Sequence, residues 1–185
     1  MESELRSIAT DCDILMNLLA TGSAVAILQA LHLLLLIPPT VDGEALYLES
    51  ENPSGARTLV DLAPLEAAGV LSKVDLSDSE IDLVVELVRT VDDGEAEVIA
   101  VGLTRNVAIA TDDRKARRVA SQHGGNLLST PDLLLGWQRT DAIPDDEMAK
   151  VLALVSRRSR YRPPRTHPLY EWWMGLLMLN EAHGA

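Results

Sequence analysis

The sequence of 185 residues contains no phenylalanine, and aromatic residues make up only 3% of it. Hydrophobic residues nevertheless reach 47%. A chain of this length and hydrophobic content can bury one full core. We therefore expect a single core built almost entirely from aliphatic side chains.

Cysteine is almost absent, because Cys12 is the only one in the chain. A single cysteine excludes an internal disulfide and is typical of a reducing compartment, so we expect a cytoplasmic protein. No histidine is a convincing partner for this thiol. The sequence therefore favours a small buried residue over a nucleophile at position 12.

The chain also lacks any apolar run long enough to cross a membrane. Its longest run, residues 24–37, contains Gln29 and His32 and is too short to span a bilayer. The N-terminal residues lack a basic segment followed by an apolar one, so we expect no signal peptide and no membrane partner. A phosphate-binding P-loop, a Gly-rich dinucleotide turn, His/Cys zinc spacing and a Ser-centred elbow are missing as well.

Positive charge is scarce: the formal net charge is -12 and the isoelectric point is about 4.6. This balance argues against a protein that coats nucleic acid. The basic residues are grouped, however, at positions 114–118 and 157–165. Such patches can hold phosphates on an acidic protein, although a solvated helix face explains the second group equally well.

Short apolar runs alternate with segments of helical periodicity along the first two thirds of the chain. We predict strands at 7–10, 33–37, 71–76, 107–111 and 126–128, and helices at 14–19, 24–31, 41–50, 56–68, 81–88, 93–103 and 114–123. This alternation predicts a three-layer α/β fold with a central parallel sheet flanked by helices. We assign residues 1–140 to this domain and residues 141–185 to a C-terminal helical extension that packs on it.

Acidic residues follow two of the predicted strands. Asp11 and Asp13 come after the strand at 7–10, and Asp112 and Asp113 come after the strand at 107–111. Ligands of open α/β sheets bind at the carboxyl ends of the strands. If these two strands are neighbours, their carboxylates converge, and such a cluster of like charges usually has a cation to hold it together.

Four segments in order resemble the motifs of the PIN-domain family: Asp11–Leu19, Ile37–Glu44, Asp93–Ala100 and Ala110–Arg117. The resemblance covers roughly residues 6–135. It implies a PIN-like fold and a metal-dependent endoribonuclease that cuts RNA, as in the toxins of toxin–antitoxin pairs. Carried over residue by residue, the catalytic acids are Asp11, Glu44, Glu95 and Asp113, with Asp112 as an alternative to Asp113.

The resemblance also implies a metal, because hard oxygen ligands suit Mg²⁺ or Mn²⁺. The implied ligands are Asp11, Glu95, Asp112 and Asp113. We prefer Glu95 to Glu97, which we expect on a face with solvent-exposed positions. Candidate substrate-binding residues are Asn17, which can hydrogen-bond either an acid or the substrate, together with Arg114 and Arg117. A protein antitoxin and a homodimer are the further partners expected.

Two other readings stay open. Asp11-Cys12-Asp13 also has the Asp-x-Asp form of haloacid-dehalogenase-like phosphohydrolases, although the lysine that this family places before its later acids is missing. Alternatively, the protein is a catalytically inactive PIN-like binding module whose acids are ordinary helix caps. The second reading does not explain why two strands both end in acidic pairs.

Overall fold

A computed structural model describes residues 5–50 and 57–183 of the chain. The strands are β1 (Arg6–Thr10), β2 (Leu33–Ile37), β3 (Tyr47–Glu49), β4 (Arg57–Leu59), β5 (Leu71–Lys73), β6 (Ala108–Ala110) and β7 (Leu127–Leu128). The helices are α1 (Cys12–Ala20), α2 (Ala24–Ala30), α3 (Pro39–Gly43), α4 (Ala63–Ala67), α5 (Asp78–Leu87), α6 (Asp93–Thr104), α7 (Arg114–Gln122), α8 (Thr130–Thr140), α9 (Asp145–Arg158) and α10 (Tyr170–His183).

Five strands form one parallel sheet in the order β5-β2-β1-β6-β7. The central strand β1 pairs with β2 on one side and with β6 on the other. Its buried residues Ile8 and Ala9 are at most 2% exposed. This sheet is flanked by helices, which confirms the predicted α/β fold with a central parallel sheet. Each predicted sheet strand is present, although the last three are shorter than expected.

The core is aliphatic, as the lack of phenylalanine predicted. Its large, fully buried side chains include Leu15, Leu35, Ile99 and Ile109. Gly102 brings α6 directly onto the sheet, since a Cβ atom at this position would overlap the side chain of Ile109. A small residue at position 102 therefore sets how closely α6 can approach β6.

The region between β2 and β5 differs from the prediction. Instead of a helix over 41–50, the short helix α3 ends at Gly43 and is followed by β3. The predicted helix over 56–68 is replaced by β4 and the short helix α4. β3 and β4 pair with each other in an antiparallel two-stranded sheet, and this cross-strand pairing overrides the helical patterns predicted for the two segments. The segment Glu51-Asn-Pro-Ser-Gly55, which the sequence predicts to be a loop, lies outside the described residues.

The C-terminal helices pack on the rest of the protein. α10 lies against α9, and α9 contacts α1 and β3. Trp173 is fully buried, and its ring makes an edge-on contact with Tyr161. Trp173 therefore packs α10 onto the rest of the protein. Met178 and Leu179 of α10 remain 67% and 41% exposed.

Within the described residues, no single helix is both long and apolar enough to cross a membrane. Helices α1 and α2 pass that test only when they are taken together, and they are bent by 105° at the break between them.

Candidate active site

The carboxyl ends of β1 and β6 meet at one edge of the sheet. Thr10 of β1 lies opposite Ala110 of β6 in the parallel register. The next backbone amide, that of Asp11, donates to the carbonyl oxygen of Ala110 over 3.4 Å. The prediction that these two strands are neighbours is confirmed, and the acids that follow them share one edge of the sheet.

A small pocket with a volume of about 150 Å³ lies at this edge, and we refer to it as the acidic pocket. Six of its lining side chains are carboxylates: Asp11, Asp13, Glu44, Asp92, Glu95 and Asp113. Cys12, Val41 and Gly94 complete the lining. The fold therefore brings together the four acids that the resemblance implied to be catalytic.

Three helices begin at the acidic pocket, and each is capped by one of its acids. Asp11 accepts a hydrogen bond from the Ile14 amide at 2.9 Å at the start of α1. Asp92 caps α6 and Asp113 caps α7 in the same way. Helix N-termini carry partial positive charge and stabilise carboxylates. Capping accounts for each acid separately, but it does not explain why three capped ends converge on one pocket with Glu44.

Glu44 and Glu95 reach the pocket from different elements. Glu44 directly follows the last residue of α3, so the prediction that it lies inside a helix over 41–50 is wrong. Glu95 lies in the first turn of α6 and forms a capping box with Asp92. Gly94 lies between them, since a Cβ atom there would make an ordinary contact of 3.6 Å with Glu44 Oε1.

Glu97, which we did not favour as a site residue, has a structural role. Its carboxylate accepts hydrogen bonds from the backbone amide and the hydroxyl of Thr40, both at 2.8 Å. Glu97 is half-buried. The expectation that it shares a solvent-exposed face is therefore wrong, and Glu97 ties the turn after β2 to α6.

Burial and mutual repulsion make this pocket hard to ionise fully. Burial, opposed by the Ile14 hydrogen bond, raises the pKa of Asp11 to about 7. Burial followed by the charges of Asp112 and Asp113 raises the pKa of Asp13. Burial, together with the nearby charge of Asp113, also raises the pKa of Glu95. Desolvation and like charges both disfavour the ionised forms, so a cation would be favourable here.

The donor atoms of the acidic pocket suit a hard divalent cation, because they are carboxylate oxygens. The residues that would hold such an ion are Asp11, Glu44, Glu95 and Asp113. In the part of the chain that the structure describes, no group of three or more His, Cys, Asp or Glu side chains has the arrangement of a metal cluster. The pocket thus matches a divalent cation in the chemistry of its donor atoms and in its placement at the carboxyl ends of β1 and β6.

Asp112 does not line the acidic pocket, and its role as a metal ligand stays a prediction. Its Oδ1 accepts hydrogen bonds from the Thr130 amide at 3.2 Å and from Tyr161 Oη at 3.0 Å. Its Oδ2 accepts from Thr130 Oγ1 at 2.6 Å and from Asn17 Nδ2 at 3.1 Å. Four internal donors thus occupy the Asp112 carboxylate, which leaves Asp113 as the acid from this loop that faces the pocket.

The predicted substrate-binding residues have different surroundings. Asn17 is only 3% exposed, and its amide nitrogen donates to Asp112 and Thr130. Of the two roles considered for it, the structure shows the hydrogen bond to an acid. Arg117 donates through Nη1 to the carbonyl oxygens of Thr111 and Leu128, both at 2.8 Å. Arg114 is exposed beside the pocket loop.

Sequence reasoning missed Asp92 and Tyr161. Asp92 lines the acidic pocket, and its spacing of three residues from Glu95 is the signal of a capping box that could have identified it. No local pattern points from Tyr161 to Asp112, because they are 49 residues apart and meet only through packing of the C-terminal segment.

A sequence model of the DUF3368 family of PIN domains matches residues 7–168. The chain therefore belongs to the PIN-domain family. The match extends beyond residue 135, where the resemblance ended, and includes α8, α9 and the segment that contains Tyr161. PIN domains are generally nucleases that use divalent metals. Searches among curated proteins and among solved structures gave no match.

Proposed function

We propose that this PIN domain is a divalent-metal-dependent endoribonuclease that hydrolyses RNA phosphodiester bonds. The observation that supports this proposal most strongly is the convergence of six carboxylates, from three capped helix ends and the end of α3, on one pocket of about 150 Å³. A phosphodiester is anionic, so it can enter such a pocket only when the negative charge there is offset.

Mg²⁺ or Mn²⁺ bound in the acidic pocket would lower the pKa of a coordinated water and neutralise charge on the phosphate and the leaving oxygen. Asp11 would be its most direct ligand, since this carboxylate is buried at the edge of the sheet. Glu44, Glu95 and Asp113 would complete the coordination directly or through water. The N-termini of α1, α6 and α7 would add partial positive charge beside the phosphate.

The haloacid-dehalogenase-like alternative requires a nucleophilic Asp11 and a later acidic pair. The family match speaks against it, and Asp112 is held away from the acidic pocket by its four donors. An inactive binding module remains a possible outcome of the experiment below.

The same proposal includes a biological setting that follows from the family resemblance. RNA is the substrate, a protein antitoxin is the partner that inhibits the nuclease, and the protein acts in the cytoplasm, where it forms a homodimer. Growth arrest on expression, relieved by coexpression of a small protein encoded next to this gene, would test the antitoxin part.

RNA cleavage by the purified protein tests the nuclease. Structured and single-stranded RNAs are incubated with Mn²⁺ or Mg²⁺, with an EDTA control and with p-nitrophenyl phosphate assayed in parallel. We expect cleavage that EDTA and Asp11→Asn both abolish. Asp82→Asn is the matched control, because Asp82 is exposed on α5 outside the acidic pocket. Hydrolysis of the small ester without RNA cleavage would support a phosphohydrolase instead, and no activity on either substrate would support a binding module.

A further inference from the structure

A second pocket shares the loop after β6 with the acidic pocket. It has a volume of about 280 Å³ and is lined by Asp112, Arg114, Arg117, Tyr161, Pro164, Thr166, His167 and Pro168. We refer to it as the arginine cleft. One wall is the start of α7, and the other is the segment between α9 and α10. Adjacent residues of one loop therefore serve two pockets: Asp112 lines the arginine cleft, and Asp113 lines the acidic pocket.

The arginine cleft is cationic on a protein whose net charge is -12. Arg114 is exposed and forms no ion pair with any residue that the structure describes. Arg117 donates to the carbonyl oxygens of Thr111 and Leu128 through Nη1 only. Its Nε and Nη2 donors do not take part in these two hydrogen bonds. The one carboxylate in the lining, Asp112, is occupied by internal donors.

The far wall is held in place by His167. Its Nδ1 accepts a hydrogen bond from the Leu169 amide at 3.0 Å, which assigns the ring hydrogen to Nε2. Nε2 then donates to Ser129 Oγ at 3.0 Å, and Ser129 Oγ donates to Asp132. Tyr161 fastens the same segment to Asp112. Because both ends of the wall are bonded to the domain, the arginine cleft exists before any ligand binds.

We propose that the arginine cleft binds a phosphate group of the RNA strand whose scissile phosphodiester lies in the acidic pocket, an inference that rests on the proposed function. The planar guanidinium of Arg114 can bind two phosphate oxygens at once. Thr166, an exposed residue in the lining, provides a hydroxyl as a further donor. The cleft is smaller than roughly 300 Å³, the lower end of small-molecule pockets, which suits a phosphate and its sugar better than a base.

This assignment gives the C-terminal segment a role in substrate binding. Contacts to phosphate position a nucleic acid without reading its sequence. The arginine cleft would thus hold the strand in register with the acidic pocket, whatever the RNA sequence is. Its cationic side chains would also offset the repulsion between RNA and the acidic pocket.

The test is binding of a fluorescein-labelled single-stranded RNA to the full-length chain, measured by fluorescence anisotropy over a salt series in Mg²⁺. All proteins carry Asp11→Asn so that the RNA stays intact. We expect Arg114→Ala to weaken binding about tenfold and to reduce the slope of log K against log salt by about 0.7, the value for one phosphate contact on a single strand. Arg114→Lys should restore part of the affinity, because it keeps the charge but not the planar fork.

Arg118→Ala is the matched control, since Arg118 is exposed on the same helix but does not line the cleft. Arg117 is unsuitable as a probe because its substitution would also remove two hydrogen bonds to strand ends. Equal losses for Arg114→Ala and Arg118→Ala would overturn the proposal, as would a lack of RNA binding. If a poly-glutamate peptide at equal charge concentration displaces the RNA, the proposal is also overturned, because the cleft would then bind an acidic peptide and not specifically a phosphate.

The outcomes also separate this inference from the proposed function. If the wild-type chain cleaves RNA and Arg114→Ala has the same KM, the proposed nuclease activity stands and phosphate binding in the arginine cleft is ruled out. If RNA binding depends on Arg114 but no metal-dependent cleavage is seen, phosphate binding in the arginine cleft stands and the proposed nuclease activity is ruled out.

Discussion

Tyr161 Oη donates a hydrogen bond of 3.0 Å to Asp112 Oδ1, and this contact joins the segment after α9 to the loop that ends β6. The tyrosine ring also packs edge-on against Trp173 of α10. One side chain therefore connects the C-terminal helices to the edge of the sheet where the acidic pocket lies.

Replacing Tyr161 by phenylalanine tests this connection. Removing a hydrogen bond to a partly buried carboxylate should lower the free energy of unfolding by about 1.5 kcal/mol. The corresponding fall in melting temperature is about 4 °C for a chain of this size. Tyr170→Phe is the control, because the Tyr170 hydroxyl has no hydrogen bond to a described residue. Equal melting temperatures for the two variants would show that the bond to Asp112 contributes nothing to stability.

Neutralising Asp11 should stabilise the metal-free protein. Its pKa is raised from 3.8 to about 7, so the folded state binds a proton that the unfolded state releases between these values. Wild-type stability in EDTA should therefore fall as the pH rises from about 4 to about 7 and then level off. Asp11→Asn removes this term, so it should be more stable at neutral pH by an amount on the order of 3 kcal/mol. Chemical denaturation across this pH range measures the difference in free energy of unfolding between the two proteins. A variant only as stable as the wild type at pH 8 would contradict a destabilising, buried negative charge at Asp11.

The ion pair between Glu80 and Arg105 should make the protein less stable as the pH falls, whereas Asp11 makes it less stable as the pH rises. Arg105 Nε lies 2.7 Å from Glu80 Oε1, and the Glu80 side chain is 1% exposed. The guanidinium of Arg105 lowers the pKa of Glu80 to about 2 despite the opposing effect of burial. The stabilisation is therefore present above about pH 4.5 and is lost as the pH falls towards 2.

Glu80→Gln should lower the free energy of unfolding at pH 7 by about 2 kcal/mol, a figure reduced because the side chain of Arg105 is 32% exposed. The difference between wild type and variant should shrink in acid. Glu86→Gln is the control on the same helix, since Glu86 is exposed. A difference that stays constant down to pH 2 would show that the loss comes from packing and not from charge.

Gly102→Ala should destabilise the protein by about 1–3 kcal/mol, because the added methyl group would overlap Ile109 and push α6 away from β6. Gly175→Ala provides the matched substitution in a second helix, where nothing lies within 4 Å of the added Cβ atom. Alanine favours helix over glycine, so this control should be stabilised by about 0.5–1 kcal/mol. Thermal melts that move in the same direction for both variants would contradict the close packing at Gly102.

Local signals identified most of the sheet. The uninterrupted apolar run Leu33–Ile37 is a strand with the predicted bounds, because a strand buried on both faces needs no polar alternation. The helix starts at Asp92 and Ser77 also follow local capping patterns. The predictions of helices over 41–50 and 56–68 were wrong because β3 and β4 are stabilised by pairing with each other, and the periodicity within one segment does not show that it pairs with another.

The sequence by itself determined the kinds of elements, the aliphatic core and the positions of the acids at strand and helix ends, since these depend on neighbouring residues. Only the tertiary structure decided which acids meet. Asp112 and Asp113 are adjacent in the chain, yet one is enclosed by Asn17, Thr130 and Tyr161 while the other lines the acidic pocket. Side-chain direction and burial depend on contacts between distant segments, so a pair of identical neighbouring residues can be told apart only in the folded chain.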